Sequence, residues 1–305
     1  MPALIPVDNF LGIALIGLVL STIVYGITCL LVFSYYTKYS SRDGLFLKTF
    51  VAALMTLDTF HLALLVMFVY HYSVTNFGDY VSLQRSTWTV VVQALVGGIV
   101  QVLVEMFFAY RLYNLAGKKI IFLIIIAILC LAKLTTTIGF TVIGLGLDAF
   151  SLAGKLQAWS ISSLALAIAC DTVIAVFLIY YLRKGSYIGF KGTHRAINLL
   201  ITYALNTCLL TSIFNIVDVI MWIKSDTPML YALFYFILVR LYSCSFMSTL
   251  NSRDTVRKEM ENRELFTMSQ FAAAPATQSQ NGTLKLATGS SDLSSAAWDV
   301  TQSKV

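Results

Sequence analysis

Charged residues are scarce in this sequence: Asp, Glu, Lys and Arg make up only 12% of its 305 residues. Soluble domains carry about 25%, so a large water-soluble globule is excluded. Histidine is scarcer still, at three residues, and His71 and His194 fall in loops. No ligand set for a zinc-hydrolase centre remains. The five cysteines (Cys29, Cys130, Cys170, Cys208, Cys244) all lie inside hydrophobic segments, without a CxxC pair or a Cys/His group. Neither metal nor redox chemistry is therefore expected, and the loops hold no cysteine for a disulfide clamp. No GxSxG elbow, Walker loop or GxGxxG loop occurs, so neither catalysis nor a cofactor is expected. Met1–Asn9 has no basic n-region and no small-residue cleavage site follows it, so no removable signal peptide is expected.

What the sequence has in abundance is apolar length. Hydrophobic residues are 58% of the chain and the mean hydropathy is +0.80. The segment Trp88–Tyr110 is the organising one. At about 1.5 Å per residue it is long enough to cross a hydrocarbon core of about 30 Å. Within it Gln93, Gly97, Gln101 and Glu105 recur every four residues and form one polar-and-small stripe on an otherwise apolar helix. Such a stripe suits a helix in the middle of a bundle, where small residues admit neighbours and amides find partners. Six further spans flank it, at about 10–36, 49–70, 120–147, 158–182, 196–223 and 228–250. The first carries Gly12, Gly17 and Gly26 as places for close packing, and Pro228 opens the last. The expected fold is all-α: a polytopic seven-transmembrane-helix bundle over residues 1–257. The expected remainder is a tail over 258–305, rich beyond Phe266 in Ala, Ser, Thr, Gln and Gly and disordered for want of apolar surface to bury.

The net charge of +6 sets orientation rather than nucleic-acid binding. Lys38, Arg42 and Lys48, then Arg111, Lys118 and Lys119, then Arg183, Lys184, Lys191 and Arg195, then Arg253, Arg257, Lys258 and Arg263 fall on one side of seven spans. Only Arg85, Lys155 and Lys224 fall on the other. The positive-inside rule then puts the N-terminus outside and the C-terminus in the cytoplasm.

Ionisable side chains inside hydrocarbon cost at least about 2.5 kcal/mol each and ask for partners. Asp58, Lys133 and Asp171 lie near the middle of their spans, and His61 shares a helix face with Asp58. They read as a buried polar cluster that serves as a site, a relay or, on the simpler reading, a structural ion pair. Glu105 and Arg240 fall at a common depth and are expected to pair. Gln93, Gln101, Asn206, Asn215 and Asp218 read as helix-seam residues. Thr207, Thr211, Asn215 and Asp218 share one face that fits either a cavity lining or a packed seam, and the seam is expected.

Five stretches, LDTFHLALL (57–65), HYSVTNFGDY (71–80), FFAYRLYNLAGK (107–118), INLLITYALNTCLLTS (197–212) and FYFILVRLYSCSFMSTLNSR (234–253), together resemble a family of multi-pass membrane proteins from basidiomycete fungi, catalogued only as a domain of unknown function. The resemblance covers about Gly12 to Arg257. It implies a seven-helix fungal membrane protein and brings no activity, ligand or catalytic residue. Glu105 stands where that pattern more often has an amide, and Cys244 where it has Asn.

Two seven-helix classes fail on residues. A retinal protein needs a lysine in its last helix, where this chain has Arg240. A rhodopsin-like G-protein-coupled receptor usually carries an Asp/Glu-Arg-Tyr triplet at the end of the third helix and NPxxY in the seventh, where this chain has AYRLY and LVRLYSCS. The leading expectation is a receptor-like or sensor protein without catalysis, in the plasma membrane, with an endomembrane as the alternative location. Its partners would be the bilayer, a small-molecule ligand and a cytoplasmic protein on the tail. A small-solute or proton transporter using Asp58, Lys133 and Asp171, and a structural or assembly protein, are the alternatives.

Overall fold

Apolar runs of this length fold as helices because hydrocarbon offers no partner to a free peptide group, and a helix satisfies its own. The computed structural model describes residues 8–39, 43–79, 82–147, 154–188, 191–224 and 230–252, with side chains undescribed at 182–207 and at a few isolated positions. The chain divides after Leu265; Phe266–Val305, the expected 257/258 boundary and the expected tail disorder all lie outside the described residues.

Among the described residues are seven long helices: α1 (Ile13–Lys38), α2 (Leu45–Tyr70), α3 (Trp88–Leu115), α4 (Ile120–Leu145), α5 (Gly154–Ile188), α6 (Lys191–Lys224) and α7 (Leu230–Asn251). Six segments are long and apolar enough to cross a membrane, those of α1 to α5 and α7, and they mark the chain as an integral membrane protein. The helix α6, 34 residues long, is not among the six. A π-turn at His71–Thr75 prolongs α2. The α3 C-terminus is closed by Gly117, whose φ of +70° lets the Lys118 amide reach back to the Tyr113 carbonyl at 3.0 Å, a reversal that L side chains resist.

Each helix packs on its neighbours in sequence, and α7 returns to α1, which closes a ring. Two of its helices are the most deeply buried. The α3 helix touches α2, α4, α5 and α7, and α7 touches α1, α2, α3 and α6. Within their most apolar stretches 50% of α3 and 56% of α7 are buried, against 17% of α1, so this pair forms the axis. The expected central role of Trp88–Tyr110 is thereby met, but it is shared. Outward faces stay apolar: Leu30 and Phe33 on α1, Ile128 and Leu131 on α4, and Ile213 and Ile216 on α6 are all exposed, as lipid contact requires.

The α3 stripe brings the axis together. A Cβ placed on Gly97 would meet Tyr235 Oη at 2.6 Å and Val239 Cγ2 at 2.8 Å, both on α7, and one on Gly98 would meet Thr137 Cγ2 of α4 at 2.8 Å. Gly17 likewise seats Phe236 of α7 at 3.0 Å, whereas Gly12 and Gly26 face open space and do not serve the packing expected of them. Tyr235 completes the α3–α7 contact by donating to the Ala94 carbonyl at 2.9 Å.

Substituting Gly97→Val should therefore force the axis apart and lower stability by about 1–3 kcal/mol, the usual effect of overpacking. Gly26→Ala should cost nothing. Denaturant unfolding of the detergent-purified protein checks both, and equal effects at the two positions would contradict the packing.

Candidate functional site: two buried ion pairs and a polar cavity

Helices α1, α2 and α7 enclose the first polar cluster. Arg240, in the middle of α7, is fully buried, so all its donors need acceptors inside the protein. Its Nη1 donates to the Asp58 side chain and to the Asp58 carbonyl at 2.6 Å, Nη2 to His61 Nδ1 at 2.9 Å, and Nε to Ser21 Oγ at 3.2 Å. Ser21 passes the chain on to the Phe236 carbonyl at 3.3 Å. A guanidinium has no acceptor, so His61 Nδ1 must accept, which makes the imidazole in this geometry neutral with its proton on Nε2. Tyr25 lays its ring 5.6 Å from the guanidinium carbon. Asp58 Oδ2 and His61 Nε2 have no partner among the described residues.

The second cluster lies across α7. Successive helix residues are about 100° apart, so Arg240 and Tyr242 point to nearly opposite sides of the helix. Tyr242 donates to Asp171 Oδ2 at 2.7 Å and accepts from Asn215 Nδ2 at 3.1 Å, while Thr211 donates to the same carboxylate oxygen at 2.8 Å. Lys133 lies 5.5 Å from the Tyr242 ring centre and donates to Glu105 Oε1 at 2.6 Å. The Cys130 thiol reaches Glu105 Oε2 at 3.4 Å, and Cys130 and Cys170 approach to 4.0 Å. Candidate ligand atoms of Glu105, Cys130 and Cys170 thus lie within 4.8 Å of one another, a grouping that sequence spacing conceals. The carboxylate among them is already engaged by an ammonium, which opposes a second cation.

Two expectations are corrected here. Glu105 and Arg240 do not pair: Glu105 binds Lys133, and Arg240 binds Asp58. Depth made Glu105 and Arg240 reasonable partners, but azimuth decides contact, and Arg240 faces α1 and α2 whereas Glu105 faces α4. Nor do Asp58, His61, Lys133 and Asp171 form one cluster, because α7 stands between the first two and the last two.

The third feature is a cavity among α3 to α7, of about 70 Å³ open to water-sized molecules. Gln93 and Gln101 of α3 and Asp218 of α6 line it, and so do the aromatic rings of Phe140, Trp222 and Tyr231. All three polar side chains are buried. Gln93 Oε1, Gln101 Nε2 and both carboxylate oxygens of Asp218 have no hydrogen-bond partner among the described residues. The expected seam is met at Thr211, through Asp171, and at Asn215, through Tyr242; Gln93, Gln101 and Asp218 face the cavity instead, and the Asn206 and Thr207 side chains lie outside the described residues. Sequence reasoning missed Trp222, Tyr231 and Tyr242. Their only signal was an aromatic one at helix positions, which packing explains equally well.

Unpaired by one substitution, a desolvated ion pair loses about 3–5 kcal/mol. Arg240→Ala should lower stability by that order, and a double-mutant cycle with Asp58→Asn should show coupling above about 0.5 kcal/mol. The Arg240/Glu105 cycle should be additive, while Glu105/Lys133 should couple. Coupling between Glu105 and Arg240 in unfolding measurements would contradict both assignments.

A family model described as a family of unknown function, DUF6534, matches residues 167–255. That is under a third of the chain, but it holds Asp171, Asp218, Arg240 and Tyr242, whereas Asp58, Glu105 and Lys133 lie outside it. No curated protein and no solved structure matches the chain. Over α5 to α7 the chain is thus similar to a family for which no activity is described.

Proposed function

We propose that this chain is a seven-span receptor-like or sensor protein of the plasma membrane without catalytic activity, α6 being the seventh span. The observation that carries the reading is the cavity. Its lining comes from the early part of α3 and α5 and the late part of α4 and α6, with Tyr231 near the start of α7. This is the end of the bundle that loop charge assigns to the outside. Buried polar atoms left without partners among apolar walls are the ordinary make-up of a small-molecule site. The ion pairs deeper in the bundle then serve as the fixed frame around it.

A transporter reading would use Asp58, Lys133 and Asp171 along one path. Their division between two sides of α7 argues against a shared route. The same division leaves the structural reading with the two ion pairs but without an account of the cavity.

Two measurements test this function. Native mass spectrometry of the protein extracted in mild detergent should recover a bound small molecule, and filling the cavity with Ser160→Phe should abolish it. Recovery of nothing from either protein would count against a ligand site, and substrate uptake by proteoliposomes would favour the transporter instead. Orientation is tested at Asn281-Gly282-Thr283, the one glycosylation sequon in the sequence. With a cytoplasmic C-terminus it should stay bare in cells that glycosylate; a glycan on Asn281 would reverse the topology.

A further inference from the structure

We infer that the cavity takes an organic ammonium, with Asp218 as its counter-ion. The assignment names the ligand class for the site proposed above and rests on the cavity being a ligand site.

The other buried carboxylates of the bundle all meet donors. Glu105 has the Lys133 ammonium at 2.6 Å. Asp58 has the Arg240 guanidinium, and Asp171 has the hydroxyls of Thr211 and Tyr242 at 2.8 Å and 2.7 Å. Asp218 is as deeply placed, at 1% exposure, yet both its oxygens lack any donor among the described residues. Among the described residues the cavity lining contains no Lys, Arg or His. An isolated carboxylate away from water calls for a positive partner, and none of the described residues supplies one.

The surroundings narrow the class further. Asp218 shares the cavity with the Trp222 and Tyr231 rings, which stack on each other with centres 3.8 Å apart, and with Phe140 on the α4 side. Aromatic faces attract a cation and also pack its hydrocarbon body. A bare metal ion would use neither property and would prefer a shell of oxygens. Gln93 Oε1 is a further acceptor without a donor among the described residues, so a primary ammonium could place its N–H groups on Asp218 and Gln93 together. Gln101 Nε2 is a donor without an acceptor among the described residues and suits a hydroxyl or carbonyl elsewhere on the ligand. These unmatched groups describe a compact amine with an aromatic or aliphatic body.

The test compares phenethylamine with its neutral isostere 2-phenylethanol, by calorimetric titration of the full chain in mild detergent, with sodium chloride as a third titrant. The amine should bind at least about tenfold more tightly than the alcohol, as a charge-assisted hydrogen bond warrants. Asp218→Asn should bring the amine down to the level of the alcohol and leave the alcohol unchanged. Should Asp218→Asn fail to fold, Ser160→Phe must abolish amine binding in its place. Equal binding of amine and alcohol, an amine affinity that survives Asp218→Asn, heat from sodium alone, or no binding of either compound would overturn the ammonium assignment. Any of these outcomes leaves the ligand-site reading intact so long as native mass spectrometry recovers a molecule that Ser160→Phe abolishes.

Discussion

Burying Arg240 is the constraint on which the rest of the bundle depends. A guanidinium held away from water must keep its charge balanced and its donors occupied. The partners come from two other helices, Ser21 of α1 and Asp58 with His61 of α2. Those contacts fix the rotation of α7. With Arg240 turned to α1 and α2, Tyr242 must face α5 and α6, where it joins Asp171 to Asn215. One helix thus carries two polar networks on opposite faces and holds both halves of the ring to itself. Small residues permit it: without Gly97 the α3 and α7 backbones could not come close enough for Tyr235 to reach the Ala94 carbonyl.

Charge balance separates frame from site. At the two ion pairs each charge meets an opposite charge, and their hydrogen bonds cross between helices. Such networks set which helices touch, and they leave little for a ligand to do. In the cavity the pattern is inverted: an acid, two amides and several rings come together without satisfying one another. An unsatisfied buried acid is costly to keep, so its presence beside a void is better explained by something that enters than by packing.

Much of the architecture was legible in the sequence because hydropathy and helix period are local properties. The six apolar spans, the four-residue stripe on α3 and the inward direction of the ionisable residues all follow from composition along one helix at a time. The choice of partners was not local. Asp58, Glu105, Lys133, Asp171 and Arg240 could be assigned a depth from their place in each span, and depth made Glu105 with Arg240 reasonable. The contact is decided by azimuth, which depends on how seven helices are turned against one another. Cys130 and Cys170 likewise meet only because α4 packs on α5.

The sequence by itself determined that this is an all-α membrane protein, which residues it must bury and how deep each would lie, because the bilayer imposes those terms on any chain. Tertiary structure decided which charge answers which. It also decided that Gln93, Gln101 and Asp218 line a space instead of a seam. A polar residue on an apolar helix needs a partner, and a single helix cannot say whether that partner is a neighbouring side chain or a molecule from outside. Only the packed bundle, in which Asn215 finds Tyr242 and Asp218 finds no partner among the described residues, distinguishes the two.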